Sequence, residues 1–203
     1  MLLTSKQKLV LKGVTFLVFI VIITVMIVYL KQQRNLDVVV RTDCGDLIGR
    51  ERRVIPVNGE VTSCYEFTNI PYAVPPVGDL RWTPSKLLSE DPSKCWKGQY
   101  DSNDQTEKRC PQITYEKGRI EPVGDEDCLY LSVRSPNLGG SLPVLVWIHG
   151  GSLEAGHKDD VGYSPDSEFT AAMNVVAVNI NYRLNLLGFL ALESLWSKGK
   201  FLV

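Results

Sequence analysis

The sequence predicts an α/β fold, and three observations carry that prediction. Leu142-Pro143-Val144-Leu145-Val146-Trp147-Ile148 is an apolar run too short for an ordinary helix. Its β-branched and aromatic residues read as a strand buried on both faces. About 26 residues later Val175-Val176-Ala177-Val178-Asn179-Ile180 repeats that character. Between them, from Asp159 to Ala172, the composition turns polar and helix-like. Strand, crossover helix and strand make a parallel β-α-β unit.

Within the crossover, Ser164 followed by Pro165 predicts a helix with Ser164 as N-cap and the proline at its first position, ending near Asn174. The first strand runs directly into His149-Gly150-Gly151-Ser152. Two glycines after a buried strand imply a sharp turn or a close backbone approach. In open α/β sheets, function sits at the carboxyl ends of such strands. A purely structural turn at Gly150 and Gly151 is the other reading.

The chain has 203 residues, enough for one domain with a real core, and a formal charge of −1. That balance weighs against a nucleic-acid footprint. Residues 1–13 form a short basic stretch with Lys6, Lys8 and Lys12, read as a cytoplasmic tail. Val14 to Leu30 follows, 17 residues without a charge, proline or glycine. This length is at the lower end of what spans a bilayer, about 17–25 residues. Residues 14–30 are therefore predicted to be a transmembrane signal anchor, closed by Lys31 and Arg34. The basic bias favours a cytoplasmic N-terminus, hence a single-pass type II membrane protein with residues 31–203 lumenal or extracellular. A cleaved signal peptide would make the remainder secreted, but no Ala-x-Ala-like site follows in Tyr29-Leu30-Lys31-Gln32-Gln33. A buried core helix is the third reading.

The five cysteines, Cys44, Cys64, Cys95, Cys110 and Cys128, all lie after the apolar run, as an oxidising compartment would allow. An odd count leaves one free or bonded outside the chain, and buried reduced thiols are the alternative to bridging. No Asn-x-Ser/Thr sequon is present. Leu36 to Val61 reads as β-rich, with a hairpin turning at Asp43-Cys44-Gly45-Asp46 and a second tight turn at Asn58-Gly59. Pro71, Pro75 and Pro76 hold an extended segment. Trp82 and Trp96 read as packing residues. Leu129 to Val133 is a strand, and Ser135 to Leu142 is the loop before the apolar strand.

Four separated blocks occur in a telling order. They are Phe67 through Trp82 (Phe-Thr-Asn-Ile-Pro-Tyr-Ala-Val-Pro-Pro-Val-Gly-Asp-Leu-Arg-Trp), Glu126-Asp127-Cys128-Leu129-Tyr130-Leu131-Ser132-Val133, Val146-Trp147-Ile148-His149-Gly150-Gly151, and Asn181-Tyr182-Arg183 through Gly188-Phe189-Leu190. Together they resemble the type-B carboxylesterase/cholinesterase family. The resemblance implies the N-terminal part of an α/β-hydrolase fold over residues 31–203. It also implies a Cys110–Cys128 disulfide, a buried ion pair between Arg81 and Glu126, and an oxyanion hole at Gly150, Gly151 and Ser152. His149 would support the turn, and His157, in a polar stretch, reads as a solvated side chain. No metal or cofactor is implied.

The family hydrolyses esters with a Ser nucleophile, a His base and an acid. The Ser sits in Gly-x-Ser-x-Gly, which does not occur in these 203 residues. The expectation is a truncated, membrane-anchored carboxylesterase-like protein without independent activity. A longer parent would act on carboxylic esters through an acyl-enzyme. Ser152 stands where the family has a third glycine, and Leu153 where it has an aromatic; neuroligins, non-catalytic members, share His-Gly-Gly-Ser. That departure supports the alternative, a cell-surface protein binding an extracellular partner in the manner of neuroligins or neurotactin. The loop from Pro111 to Asp127 lacks the Trp with which cholinesterases hold choline. A third expectation is that the short chain is itself the product and folds poorly, with the apolar strand left as an unpaired edge.

Overall fold

The computed structural model describes residues 5–34, 37–57, 59–103, 106–116 and 118–193. It has two compact units, residues 1–37 and 38–203. The tight turn expected at Asn58-Gly59 lies partly outside the described residues; Gly59 itself donates to Pro56 O at 2.8 Å. The segment after Glu193 also lies outside them.

The first unit is one helix, α1 (Ser5–Arg34). Its described side chains, residues 12–27, present Phe16, Leu17, Phe19 and Val25 to solvent without a polar face. At 1.5 Å per residue the 30 residues of α1 extend about 45 Å. Among the described residues no helix is long and apolar enough to cross a membrane.

The second unit is built on a twisted sheet. A hairpin of β1 (Asp37–Thr42) and β2 (Gly45–Val54) turns where expected, fixed by Thr42 Oγ1 donating to Gly45 O. β3 (Thr62–Pro71) pairs antiparallel with β2, and β4 (Gln99–Asp101) pairs parallel with β2. β5 (Gln112–Glu116) and β6 (Arg119–Val123) form a separate antiparallel hairpin. β7 (Tyr130–Ser135), β8 (Val144–Ile148) and β9 (Val176–Ile180) complete the sheet, whose order is β1-β2-β3-β7-β9-β8. β7 runs antiparallel to both β3 and β9, while β8 and β9 are parallel.

The β-α-β unit is therefore present, with α2 (Ser167–Met173) as the crossover. Its start differs from expectation. Asp166 caps the helix by accepting from Phe169 N–H, and Ser164 instead donates to Asp160 O. Pro165 is held back because its carbonyl accepts from Asn179 and Arg134. Asn174 closes the helix at φ 51°, the left-handed cap Asn tolerates.

β8 is not buried on both faces. It lies at the sheet edge, and Val144, Val146 and Ile148 are 64%, 57% and 62% exposed. The apolar run marked a strand correctly, but burial depends on a neighbour that sequence pattern cannot supply. The buried apolar residues cluster around Ala73, Cys110, Cys128, Leu129 and Leu184, with Tyr72 and Tyr182 packed against them.

A short helix, α3 (Asn185–Phe189), follows β9.

Candidate functional site

The site begins where β8 ends. His149 is buried, its ring stacked on Tyr182 at 4.4 Å between centroids. The Tyr182 hydroxyl donates to His149 O at 2.9 Å, and His149 Nδ1 lies 2.9 Å from Gly150 O. The histidine thus braces the turn from below, on the side away from solvent.

Gly151 then adopts φ 113°, and its carbonyl accepts from both Glu154 N–H and Ala155 N–H. A Cβ at Gly151 would stand 1.9 Å from Ala155 O, so glycine is obligatory here. Ser152 and Leu153 follow at φ 56° and 65°, two consecutive left-handed residues with side chains. L-residues resist that region by roughly 1–2 kcal/mol each, so the turn is held by its surroundings rather than by its own preference. Among the described residues the N–H groups of Gly151 and Ser152 donate to no acceptor.

Ser152 and Leu153 border an open cleft of about 1060 Å³. Its other walls include Tyr115 and Ile113 of the β5–β6 hairpin, and Leu186 and Phe189 of α3. The hairpin is tied down by the Cys110–Cys128 disulfide, whose Cα atoms are 4.9 Å apart. A second disulfide joins Cys44 to Cys95, leaving Cys64 as a buried free thiol.

Arg81 and Glu126 pair in a bidentate fork, with contacts of 2.5 and 2.6 Å. The pair is not buried: the side chains are 39% and 23% exposed. It lies at the rim of a narrow pocket with Pro76, Arg183 and Leu187, where the guanidinium stays open to water beside the Trp82 ring. Trp82 itself donates its indole N–H to Leu186 O. Arg183 donates to Thr83 O at 3.0 Å and to Ser85 Oγ at 3.3 Å. Burial lowers the Arg183 guanidinium pKa and pushes the Tyr72 hydroxyl up to about 12.

His157 is corrected by the structure. It is 5% exposed, not solvated, and burial lowers its pKa, with Lys158 adding to the effect. Beside it Lys158 donates from Nζ to Ser132 Oγ and to Asp159, and Asp159 also takes Arg134 and Asn179. The polar look of this stretch comes from a buried network, which a hydropathy pattern reads as surface. Among the described residues no cluster of His, Cys, Asp or Glu could hold a metal ion.

Sequence reading passed over Gln112, Gly156 and Asn185, which hold the turn to the hairpin. Gly156 was legible in principle as a glycine eight residues past the strand, but nothing local shows its partner.

The carboxylesterase family profile matches residues 36–200. Phenmedipham hydrolase of Pseudarthrobacter oxydans is 43% identical over 134 residues, 63% of this chain and 26% of that protein. Neurotactin of Drosophila melanogaster is 39% identical over 145 residues, 69% of this chain and 16% of that protein. A thermophilic pNB esterase superimposes with a TM-score of 0.63 at 29% identity, covering 81% of this chain and 31% of its own. The chain spans about a quarter or less of the length of these two sequence relatives.

Proposed function

The chain belongs to the carboxylesterase family, and from that premise we propose that residues 31–203 supply the oxyanion-stabilising part of a carboxylic ester hydrolase. The observation that carries this reading is the turn after β8. Among the described residues the N–H groups of Gly151 and Ser152 are unused there, beside a largely apolar cleft. Such donors stabilise the negative oxygen that develops as an acyl group is attacked, and one donor typically contributes about 10²–10³ in rate. The nucleophile, acid and base would come from residues outside these 203, since Gly-x-Ser-x-Gly is absent from them.

The cleft favours an ester with apolar groups. Tyr115, Ile113, Leu186 and Phe189 offer them surface, with Glu154 as the charged residue among the described walls. The uncharged run from Val14 to Leu30 supports α1 as a type II membrane anchor, placing the cleft outside the cytosol.

A second reading rests on Ser152 and Leu153. Both carry side chains at left-handed backbone angles, and Leu153 stands half-exposed at the cleft. A surface that binds an extracellular protein needs no nucleophile and would tolerate that substitution of the turn.

The test is to express in full the open reading frame that encodes these residues. Hydrolysis of p-nitrophenyl butyrate, with covalent labelling by a fluorophosphonate on a serine outside residues 1–203, supports the hydrolase. A folded product with neither turnover nor label supports the binding protein.

A further inference from the structure

The segment Gly150–Gly156 is fastened at its middle and at its far end to one short piece of chain, Pro111-Gln112. At the far end, the buried Gln112 side chain meets the Gly156 backbone twice. Gly156 N–H donates to Gln112 Oε1 at 2.9 Å, and Gln112 Nε2 donates to Gly156 O at 3.0 Å. The same Nε2 donates to Cys110 O at 3.0 Å, next to the disulfide. At the middle, Asn185 donates its backbone N–H to Leu153 O at 2.7 Å and its Nδ2 to Pro111 O at 2.6 Å.

Gly156 transmits the first fastening to the turn. It sits at φ 124°, and a Cβ there would lie 2.2 Å from His149 Nδ1 and 2.6 Å from Gly150 O. Its backbone therefore packs directly on the residues that precede Gly151. Ser152 and Leu153 occupy left-handed backbone angles, which persist only where surroundings over-determine them.

We propose that Gln112 and Asn185 are positioning residues that clamp the Gly150–Gly156 segment to the disulfide-closed hairpin and so aim the N–H groups of Gly151 and Ser152. This rests on the hydrolase reading above. Both residues also border the cleft; the role assigned to each here runs through the backbone it holds. Rate then depends on the clamp, because aim at the developing oxyanion matters more in the transition state than in substrate binding.

The experiment uses the full product of the open reading frame and compares wild type with Gln112→Ala and Asn185→Gly. Glycine at 185 keeps the φ 49° backbone and its N–H bond to Leu153 while removing the link to Pro111. The measurements are kcat and KM for p-nitrophenyl butyrate, and amide hydrogen exchange over residues 146–157. The expected result is kcat lower by about 10-fold or more with KM within about twofold, and faster exchange confined to that segment. Folded variants with wild-type kcat and wild-type exchange would overturn the proposal. If only one variant folds, it decides the matter alone; if neither folds, the residues hold the domain together and the proposal falls. A wild type without turnover defeats the hydrolase reading. In that case exchange still decides the clamp, since faster exchange in the variants upholds it and unchanged exchange rejects it.

Discussion

Lys158 Nζ lies 2.9 Å from the hydroxyl of Ser132, and the two residues are 1% and 0% exposed. A lysine beside a serine can activate it as a nucleophile, but no ester reaches a hydroxyl sealed this completely. The pair belongs to a network in which Asp159 also takes Arg134 at 3.0 Å and Asn179 at 3.3 Å. Burial pushes the Asp159 carboxyl up, but the Lys158 ammonium and the Arg134 guanidinium outweigh it and hold the group well below its ordinary range. Removing Lys158 takes one of two cationic partners from Asp159 and leaves Arg134 in place. Lys158→Met should therefore lower stability by about 1.5–3 kcal/mol, the range for a hydrogen bond to a charged group, read as a shift in the urea midpoint. Fluorophosphonate should leave Ser132 unlabelled. A midpoint shift worth less than about 1 kcal/mol would show that the network relaxes without cost.

Cys64 is fully buried and unbridged, while the other four cysteines pair as Cys44–Cys95 and Cys110–Cys128. Burial raises the thiol pKa, so little reactive thiolate forms in the native protein. The Cys64 peptide should resist iodoacetamide under native conditions and take it up in denaturant without reductant. The peptides carrying the other four should require reduction first. Native-state alkylation of Cys64 would contradict the packing of β3 against α2.

His157 gives the fold a pH dependence. Its neighbours are Lys158, Asp159, Asp160, Arg109 and Glu107, and its Nε2 finds no partner among the described residues. Burial first, then Lys158, sets the folded pKa below the unfolded value of about 6.5. Below pH 6.5 the unfolded chain therefore binds a proton that the folded one refuses. Stability contributed by the neutral ring is complete above about pH 6.5 and falls as pH drops toward the folded pKa, at most about 1.4 kcal/mol per pH unit. Denaturation at pH 7, 6 and 5 should show that slope, and His157→Gln should flatten it. An identical slope in the variant would assign the acid sensitivity elsewhere.

What the sequence could reveal follows from how local each feature is. The strand at Val144–Ile148, its turn glycines and the next strand at Val176–Ile180 are written in short apolar runs and their punctuation, and the structure has all three. The family resemblance likewise located Cys110 opposite Cys128 and Arg81 opposite Glu126, because those residues stand in recognisable blocks. Exposure was less legible. The Arg81–Glu126 fork lies at a rim rather than in the core, so its strength is diluted by solvent. Arg81→Met should consequently shift the melting temperature little. His157 looked like a surface residue because polarity in sequence does not reveal burial beside a network anchored on β7 and β9. Gln112 and Asn185 were invisible for a related reason: each works through bonds to backbone across 44 and 74 residues.

Gly150 and Gly151 are neighbours in sequence with opposite tolerances. A Cβ on Gly150 meets nothing within 4 Å, and its φ lies outside the range that L-residues avoid. Gly151 stands at φ 113° with Ala155 O only 1.9 Å from where its Cβ would be. That oxygen cannot move freely, because Ala155 joins Glu154 in donating back to Gly151 O. A strained backbone angle alone costs about 1–3 kcal/mol, and the clash adds to it, so Gly151→Ala should destabilise by at least that much. Gly150→Ala should stay within about 0.5 kcal/mol of wild type, as ordinary exposed substitutions do. If the full-length product turns over esters, Gly151→Ala should also lose about 10²–10³ in kcat, while Gly150→Ala keeps most of it. Thermal melts of both variants, followed by p-nitrophenyl butyrate kinetics, decide the point. Equal effects at the two positions would mean that the turn adjusts as a unit and that the left-handed run from Gly151 to Leu153 does not set its shape.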